Sequence, residues 1–268
     1  MLSAICAILL YLVSILFIMP MLLKAQAGER VKSINKTLFF STALLALLAH
    51  LISVFPTVRH IFTGDDFTFI QIGSLISVII ALLLTLATLF KVKTTWFILP
   101  VVYCLAVINL IQTTFIPAHV MHNLMQDTGL MLHVFLALFA YAVCFIATLY
   151  SIQLAWLHYN LKHKKTAIST IVPPLMLVER HFYYVLLTGE ALLTLTLISG
   201  AIYLADFFAA QNIQKAVFSF LAWLVFGLFI IGHKKFCWRG KIMIIYTISG
   251  MILLTIAYFG SRALLEIH

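Results

Sequence analysis

The sequence predicts an all-α membrane protein whose helices cross a bilayer about eight times, and two observations support that fold class. Of the 268 residues, 64% are hydrophobic and only 9% are charged, which is too little polar surface for a soluble domain of this size. The apolar residues also fall into runs of about 20, the length that spans a hydrocarbon core of about 30 Å. The net charge of +9 therefore indicates basic loops beside a membrane and excludes a nucleic-acid partner, because Lys and Arg collect in cytoplasmic loops.

The first four apolar runs are separated by short polar loops. The first run has no basic segment in front of it and is followed by positive charges, so we expect a retained span and not a signal peptide. The second carries His50, with Pro56 near its end, and the fourth carries Pro100 and Asn109. These four predicted spans cover residues 2–23, 37–58, 70–90 and 96–115.

The second four runs begin after a polar loop that holds His119 and His122. The longest connection, Leu154 to His181, is expected to continue the fifth helix out of the membrane and along its surface until Pro173-Pro174 breaks it. We expect one integral membrane domain over residues 1–268. Its second four predicted spans cover residues 130–153, 182–205, 216–232 and 242–260.

The basic residues fix the orientation of these eight spans. The first, third, fifth and seventh loops hold all but three of the 17 Lys and Arg residues, and the exceptions are Arg59, Lys215 and Arg262. Because basic residues mark the cytoplasmic side, we expect both termini to lie outside. The Lys- and Arg-poor side carries all four aspartates, namely Asp65, Asp66, Asp127 and Asp206.

Four histidines fall at informative depths in this orientation. At a rise of about 1.5 Å per residue, His133 lies near the outer face, His50 in the outer half and His233 near the cytoplasmic face, while His268 ends the outer tail. Imidazole is a common ligand of haem iron, and two facing histidines can hold a porphyrin. Its propionates would then seek Arg59 and Arg262. A single intramembrane histidine can equally be a polar contact that holds two helices together.

Other polar residues keep a second function open. Glu190 lies inside the sixth span, where it can pair with a histidine, receive a proton, bind a cation or remain neutral. With Asn109 and the pair His119 and His122, it would form the relay of a small-solute or cation transporter. His60, His158, His163 and His181 are expected in solvated loops. The four cysteines contain no CxxC pair, so neither a zinc site nor a redox dithiol is expected.

Three stretches carry a resemblance to a known family. One is Gly129 to Leu154, with Met131-Leu132-His133-Val134 followed by Tyr141; another runs from Pro174 to Gly200; the last is the ending AYFGSRALLEIH. Together they resemble the cytochrome c assembly family of membrane proteins, the CcsA/CcmC group, over about half of the chain. The resemblance is strongest to the YpjD-like and HemX-like branch, which lacks the tryptophan-rich WWD motif. No tryptophan lies between Ala205 and Phe218, where that motif would fall.

The resemblance implies haem as cofactor and histidines as its ligands. His133 matches the family's external haem-ligating position, and His233 matches the histidine that ends the next span. His268 falls one residue out of register with the second external position. His50 lies outside the clear match and would pair with His233 only if a helix tilts or breaks, since their depths differ by about half a bilayer. His133 and His268, both on the outer side, form the better pair.

The resemblance implies a function in haem handling during cytochrome c assembly, in a bacterial inner membrane and beside other assembly subunits. This would be a binding and delivery protein and not an enzyme. The transporter described above is the alternative from the residues themselves. A third hypothesis, from HemX-like relatives, is a membrane regulator of haem synthesis that uses the segment from Leu154 to His181 as its contact surface.

Overall fold

The computed structural model describes residues 1–27, 35–63, 67–115, 120–121, 128–163, 173–203 and 210–260. In these ranges seven α-helices are long and apolar enough to cross a membrane, and α4 is a shorter apolar helix. The predicted all-α membrane fold with about eight spans is therefore confirmed. The helices are α1 (Leu2–Ala27), α2 (Lys36–Thr63), α3 (Phe69–Leu89), α4 (Leu99–Phe115), α5 (Thr128–Lys162), α6 (Leu175–Tyr203), α7 (Ala210–Phe236) and α8 (Lys241–Thr255).

Several helices extend beyond the apolar runs that predict them. α2 continues to Thr63, α5 to Lys162, and α6 begins directly after Pro174, whose carbonyl accepts bonds from two amides of the first turn. Hydropathy marks the part of a helix that lies in lipid, whereas the helix itself ends where its backbone bonds end. The prediction that His60, His158 and His181 lie in loops is therefore wrong, because each lies within a helix. The predicted continuation of the fifth helix past its span is confirmed.

Short irregular segments flank two of the helices. A 3-10 turn, Lys93–Phe97, leads into α4, and a π-helical turn, Ile256–Gly260, extends α8. The α4 helix has 17 residues and is thus about 25 Å long. Its Pro100 lies in the first turn, where proline is tolerated because the amide there has no helical partner.

The loops after α2 and α4 meet in a very small β-ribbon. Strand β1 (Phe67–Thr68) pairs antiparallel with strand β2 (Val120–Met121), with Phe67 opposite Met121. These are the only β-strands among the described residues. The ribbon gives backbone groups outside the helices hydrogen-bond partners of their own.

The helices pack as two compact units, which are described separately. Unit 1 comprises residues 1–124 and 159–178, and unit 2 comprises residues 125–158 and 179–268. In unit 1, α1 contacts both α2 and α4, and α3 contacts the same two helices. In unit 2, α7 contacts α8 and the π-helical turn. The single domain expected over residues 1–268 stays a prediction.

The outer faces of the helices are apolar while several interior contacts are polar. Phe55 on α2 is 66% exposed and Ile252 on α8 is 56% exposed, whereas His50 and Ser14 are fully buried. This distribution suits a protein whose solvent is lipid, because lipid tails accept apolar side chains and polar groups must find partners within the protein. The protein is therefore built to lie in a bilayer.

Candidate functional site

The histidine at the start of α5 presents one ring nitrogen without a partner. His133 Nδ1 lies 3.1 Å from the carbonyl oxygen of Thr196 and 3.0 Å from Ser199 Oγ, both on α6. A carbonyl oxygen can only accept, so Nδ1 carries a proton and donates it, and in the neutral ring Nε2 then holds the lone pair. Within the described residues Nε2 makes no hydrogen bond, and the side chain is only partly buried. As a neutral imidazole, His133 therefore has an available electron pair on Nε2.

His133 depends on two α6 residues that sequence reasoning did not single out. Thr196 and Ser199 are three apart and so share a helix face, and Ser199 Oγ also donates to the Thr196 carbonyl at 2.9 Å. They are ordinary polar residues in an apolar span, and no sequence motif marks them. Their spacing on one face is the only signal that could have identified them.

The histidine in the last turn of α7 has the same local arrangement. His233 Nδ1 lies 2.8 Å from the carbonyl oxygen of Trp238, so this nitrogen also donates and Nε2 keeps its lone pair. Its ring packs 4.7 Å from the Tyr183 ring and 5.8 Å from the Phe229 ring, centroid to centroid. The chain turn after α7 thus orients His233.

That turn depends on a glycine. A Cβ at Gly232 would overlap the ring of Trp238, so only glycine lets this ring pack against α7. We expect Gly232→Ala to force the turn outwards, to break the bond between His233 and the Trp238 carbonyl, and to lower the free energy of unfolding by about 1–3 kcal/mol. Thermal unfolding of the purified protein in detergent measures this loss. Ile231→Ala, at an exposed neighbouring position, is the control, and an unfolding curve of Gly232→Ala that matches it would contradict the packing.

His50 differs from both, because its two ring nitrogens already have partners. It is fully buried on α2, with Nδ1 3.2 Å from the hydroxyl of Tyr11 on α1 and Nε2 3.1 Å from Ser74 Oγ on α3. Either neutral tautomer satisfies both bonds, since each hydroxyl can donate or accept. His50 would have to give up one of these bonds to bind iron.

The Tyr11 hydroxyl begins a polar path through the core of unit 1. The ring of Tyr11 packs 5.0 Å from the ring of Tyr103 on α4, whose hydroxyl lies 2.9 Å from Thr85 Oγ1 on α3. Through His50, Tyr11 and Tyr103, all four helices of unit 1 share polar or aromatic contacts. Buried hydrogen bonds between helices hold a membrane bundle together where lipid offers no alternative partners.

The candidate ligands are distributed over the two units. His50 lies in unit 1, whereas His133 and His233 lie in unit 2, and His268 lies outside the described residues. α5, α6 and α7 are consecutive crossings, so α5 and α7 run in the same direction. His133 near the start of α5 and His233 at the end of α7 therefore lie towards opposite membrane faces. One haem iron cannot bind both.

Comparison with known proteins then assigns the chain to a family. Residues 2–268 match the family described as cytochrome C assembly protein. The chain belongs to the cytochrome c assembly protein family. It is 38% identical over 262 residues to the inner membrane protein YpjD of Escherichia coli K12, covering 97% of this chain and 96% of the relative, and the YpjD proteins of the O6:H1 and O157:H7 strains match equally. No solved structure matches.

This family member therefore stands in the YpjD-like branch, as the resemblance implied. It is a multi-pass inner-membrane protein, with seven span-length helices in its described parts. The family is associated with haem handling. Within the described residues no group of three His, Cys, Asp or Glu side chains can hold a metal ion.

In this family member the tyrosine of the α5 motif joins α5 to the end of α8. The Tyr141 hydroxyl lies 3.2 Å from Thr255 Oγ1, and the Tyr258 hydroxyl donates to the Ala137 carbonyl at 2.8 Å. The rings of the two tyrosines pack 5.1 Å apart. Tyr258 lies in the π-helical turn, a feature often found at functional sites. These contacts place the start of α5, with His133, against a fixed neighbour.

The residues predicted for a transport relay or for the haem propionates lie in different parts of the chain. Glu190 is buried in α6 of unit 2. Asn109 lies in α4 of unit 1, where its amide donates to the Leu105 carbonyl. Arg59 lies in α2. The others named for a relay or for haem propionates, His119, His122 and Arg262, lie outside the described residues.

Proposed function

We propose that this protein binds haem in the inner membrane as part of cytochrome c assembly, with His133 as an axial ligand. The observation that carries the proposal is the arrangement of His133, whose Nδ1–H is bonded to the Thr196 carbonyl while Nε2 keeps its lone pair. Family membership is its second support. The proposed role is binding and handling, not catalysis.

The chemistry of this arrangement suits iron. Histidines that bind metals almost always donate the other ring N–H to a carbonyl or carboxylate, which fixes the tautomer and the ring orientation. Thr196 provides that carbonyl, and Ser199 adds a second polar contact at 3.0 Å. The imidazole is only partly buried, so Nε2 remains accessible to a flat ligand with a hydrophobic rim. His133 thus meets the requirements of an axial ligand before haem arrives.

The proposal ranks the other three histidines as candidate ligands. His268 is the proposed outer-side partner of His133. His233 is a separate candidate ligand towards the cytoplasmic face, because its Nδ1 is also held by a carbonyl. His50 comes last, because both of its nitrogens are occupied. The outer and cytoplasmic sides named here are those of the predicted orientation, in which both termini lie outside.

The absence of tryptophan between Ala205 and Phe218 limits the proposal to haem binding and handling. A tryptophan-rich loop would present haem to an acceptor, and this sequence lacks one. We therefore propose that the protein holds haem, or passes it to other assembly subunits in the membrane. A transfer of haem directly to an apocytochrome is not part of this proposal.

The visible spectrum of the purified full-length protein tests haem binding. The protein in mild detergent is titrated with haemin, and spectra are recorded in the oxidised and reduced states. We expect a Soret band that saturates with added haemin and sharp α and β bands after reduction, as histidine-ligated haem gives. A spectrum that matches free haemin in the same detergent at every ratio would overturn the proposal.

A further inference from the structure

A carboxyl group lies buried near the middle of α6 without a partner for one of its oxygens. Glu190 has about 20 Å of helix on either side, so it lies well inside this span-length helix. The side chain is only 9% exposed, and within the described residues Oε2 makes no hydrogen bond. Buried polar atoms nearly always have partners, so this exception requires an explanation.

The neighbouring helices enclose this carboxyl closely. On α7, a Cβ at Gly227 would lie 3.2 Å from Glu190 Oε1, so the absence of a side chain there makes room for the acid. One turn along, Trp223 Nε1 of α7 donates to Thr194 Oγ1 of α6 at 2.8 Å, which fixes the two helices against each other at this level. On α5 the fully buried thiol of Cys144 packs against Gly189, the residue before Glu190.

In the described part of the chain, no Lys, Arg or His side chain forms an ion pair with Glu190. Close to it, α5 contributes the buried thiol of Cys144 and α7 contributes Gly227, and neither is a cation. The acid elsewhere on the same helix differs, since Glu179 Oε1 lies 3.3 Å from Arg239 Nε in an ion pair. An unpaired carboxylate at the depth of Glu190 is among the least favourable groups in a membrane.

The missing partner also identifies the ligand by elimination. A hard cation requires several oxygen ligands, and no group of three acidic, His or Cys side chains gathers among the described residues. A proton needs only the one carboxyl oxygen.

We propose that Glu190 is a proton-binding site of the membrane interior. It holds its proton as a neutral carboxylic acid at neutral pH, enclosed by α5 and α7, and loses the proton only when the carboxyl meets water. The site is independent of haem, although Glu190 lies on the same helix as Thr196, about 9 Å along the axis from the carbonyl that holds His133. A proton carrier in this unit is the further activity that the site implies.

A hydrophobic carbodiimide tests the protonation state directly. The carbodiimide nitrogen takes the proton of the acid, the carboxylate oxygen adds to the carbodiimide carbon, and the adduct rearranges to a stable N-acylurea. Only an acid that keeps its proton in apolar surroundings reacts well at neutral pH. The purified full-length protein is treated in detergent, and labelled peptides are quantified by mass spectrometry.

We expect Glu190 to be labelled at least about tenfold more than Glu179, because Glu179 forms an ion pair with Arg239. Labelling should fall as the pH rises well above neutral and should be unaffected by added sodium chloride. Glu179→Gln, the matched control on the same helix, should leave the labelling of Glu190 unchanged. Equal or weaker labelling of Glu190 than of Glu179 would overturn the proposal, and protection by sodium would identify a cation as the ligand instead.

Infrared spectroscopy provides a second measurement that needs no reagent. The difference between wild type and Glu190→Gln should contain one carbonyl band of a protonated carboxylic acid, and that band should shift in heavy water. Gln has the shape of the neutral acid, so we expect the variant to fold as the wild type does. A difference spectrum with only carboxylate bands would contradict the proposal, and if Glu190→Gln fails to fold, the labelling of the wild type at increasing pH decides.

Discussion

His133→Ala should lower the affinity for haemin by at least about a hundredfold and remove the bands of the reduced haem spectrum. The substitution removes the α5 imidazole whose Nδ1 is bonded across the helix contact to the Thr196 carbonyl of α6. Loss of a supporting group behind a metal ligand already costs about 10–100-fold in affinity, and loss of the ligand itself should cost more. Titration of the purified variant with haemin, followed at the Soret band, measures the change.

A histidine on the same helix provides the control. His158 is exposed on α5, and its Nδ1 bonds to the Leu154 carbonyl one turn back, at 2.9 Å. His158→Ala should bind haemin as the wild type does. Ser199→Ala should weaken binding by much less than His133→Ala, because the Thr196 carbonyl still holds Nδ1. A His133→Ala protein with an unchanged spectrum would show that this histidine is not a ligand.

His50→Ala should have the largest effect on stability, lowering the free energy of unfolding by about 2–5 kcal/mol. The ring is fully buried, so its removal leaves a cavity, and large-to-small changes in cores typically cost that amount. It also leaves the Tyr11 hydroxyl and Ser74 Oγ without their shared partner. Thermal or denaturant unfolding of the full chain in detergent gives the value.

Two smaller changes separate the cavity from the hydrogen bonds. Tyr11→Phe and Ser74→Ala each remove one bond to His50 while leaving the ring in place, and interhelical bonds in membranes contribute about 0.6–1.7 kcal/mol each. Both variants should therefore be less destabilised than His50→Ala. If His50→Ala unfolds like the wild type, the polar path through unit 1 is not what holds the four helices together.

The same variant also tests the role of His50 in haem binding. A His50→Ala protein that is less stable but keeps the haem spectrum assigns His50 to packing between helices. Loss of the haem spectrum in a protein that remains folded would make His50 a ligand. The predicted depths of His50 and His233 allow such a pair if a helix tilts or breaks. The two readouts are independent, because the unfolding measurement needs no haem.

Much of the fold follows from local composition. A run of about 20 apolar residues forms a helix in lipid whatever its neighbours are, because every backbone group must be satisfied within the segment. The number of spans and the helical continuation past Gln153 were therefore predictable from composition, whereas the inner-membrane location followed from the family resemblance. The bounds of α2 and α6 were not, since polar residues such as His60 and Glu179 extend a helix without adding hydropathy.

The sequence by itself determined that this is a polytopic helical protein of the cytochrome c assembly family, and it marked His50, His133 and His233 as candidate ligands, with His133 ranked above His50. Only the tertiary structure showed which of their ring nitrogens already have partners. The nitrogens of His50 meet Tyr11 and Ser74, which are distant along the chain, whereas His133 meets the Thr196 carbonyl of α6. The physical reason is that the availability of an imidazole nitrogen depends on the groups that neighbouring helices bring within about 3 Å, and that proximity arises only when the helices pack.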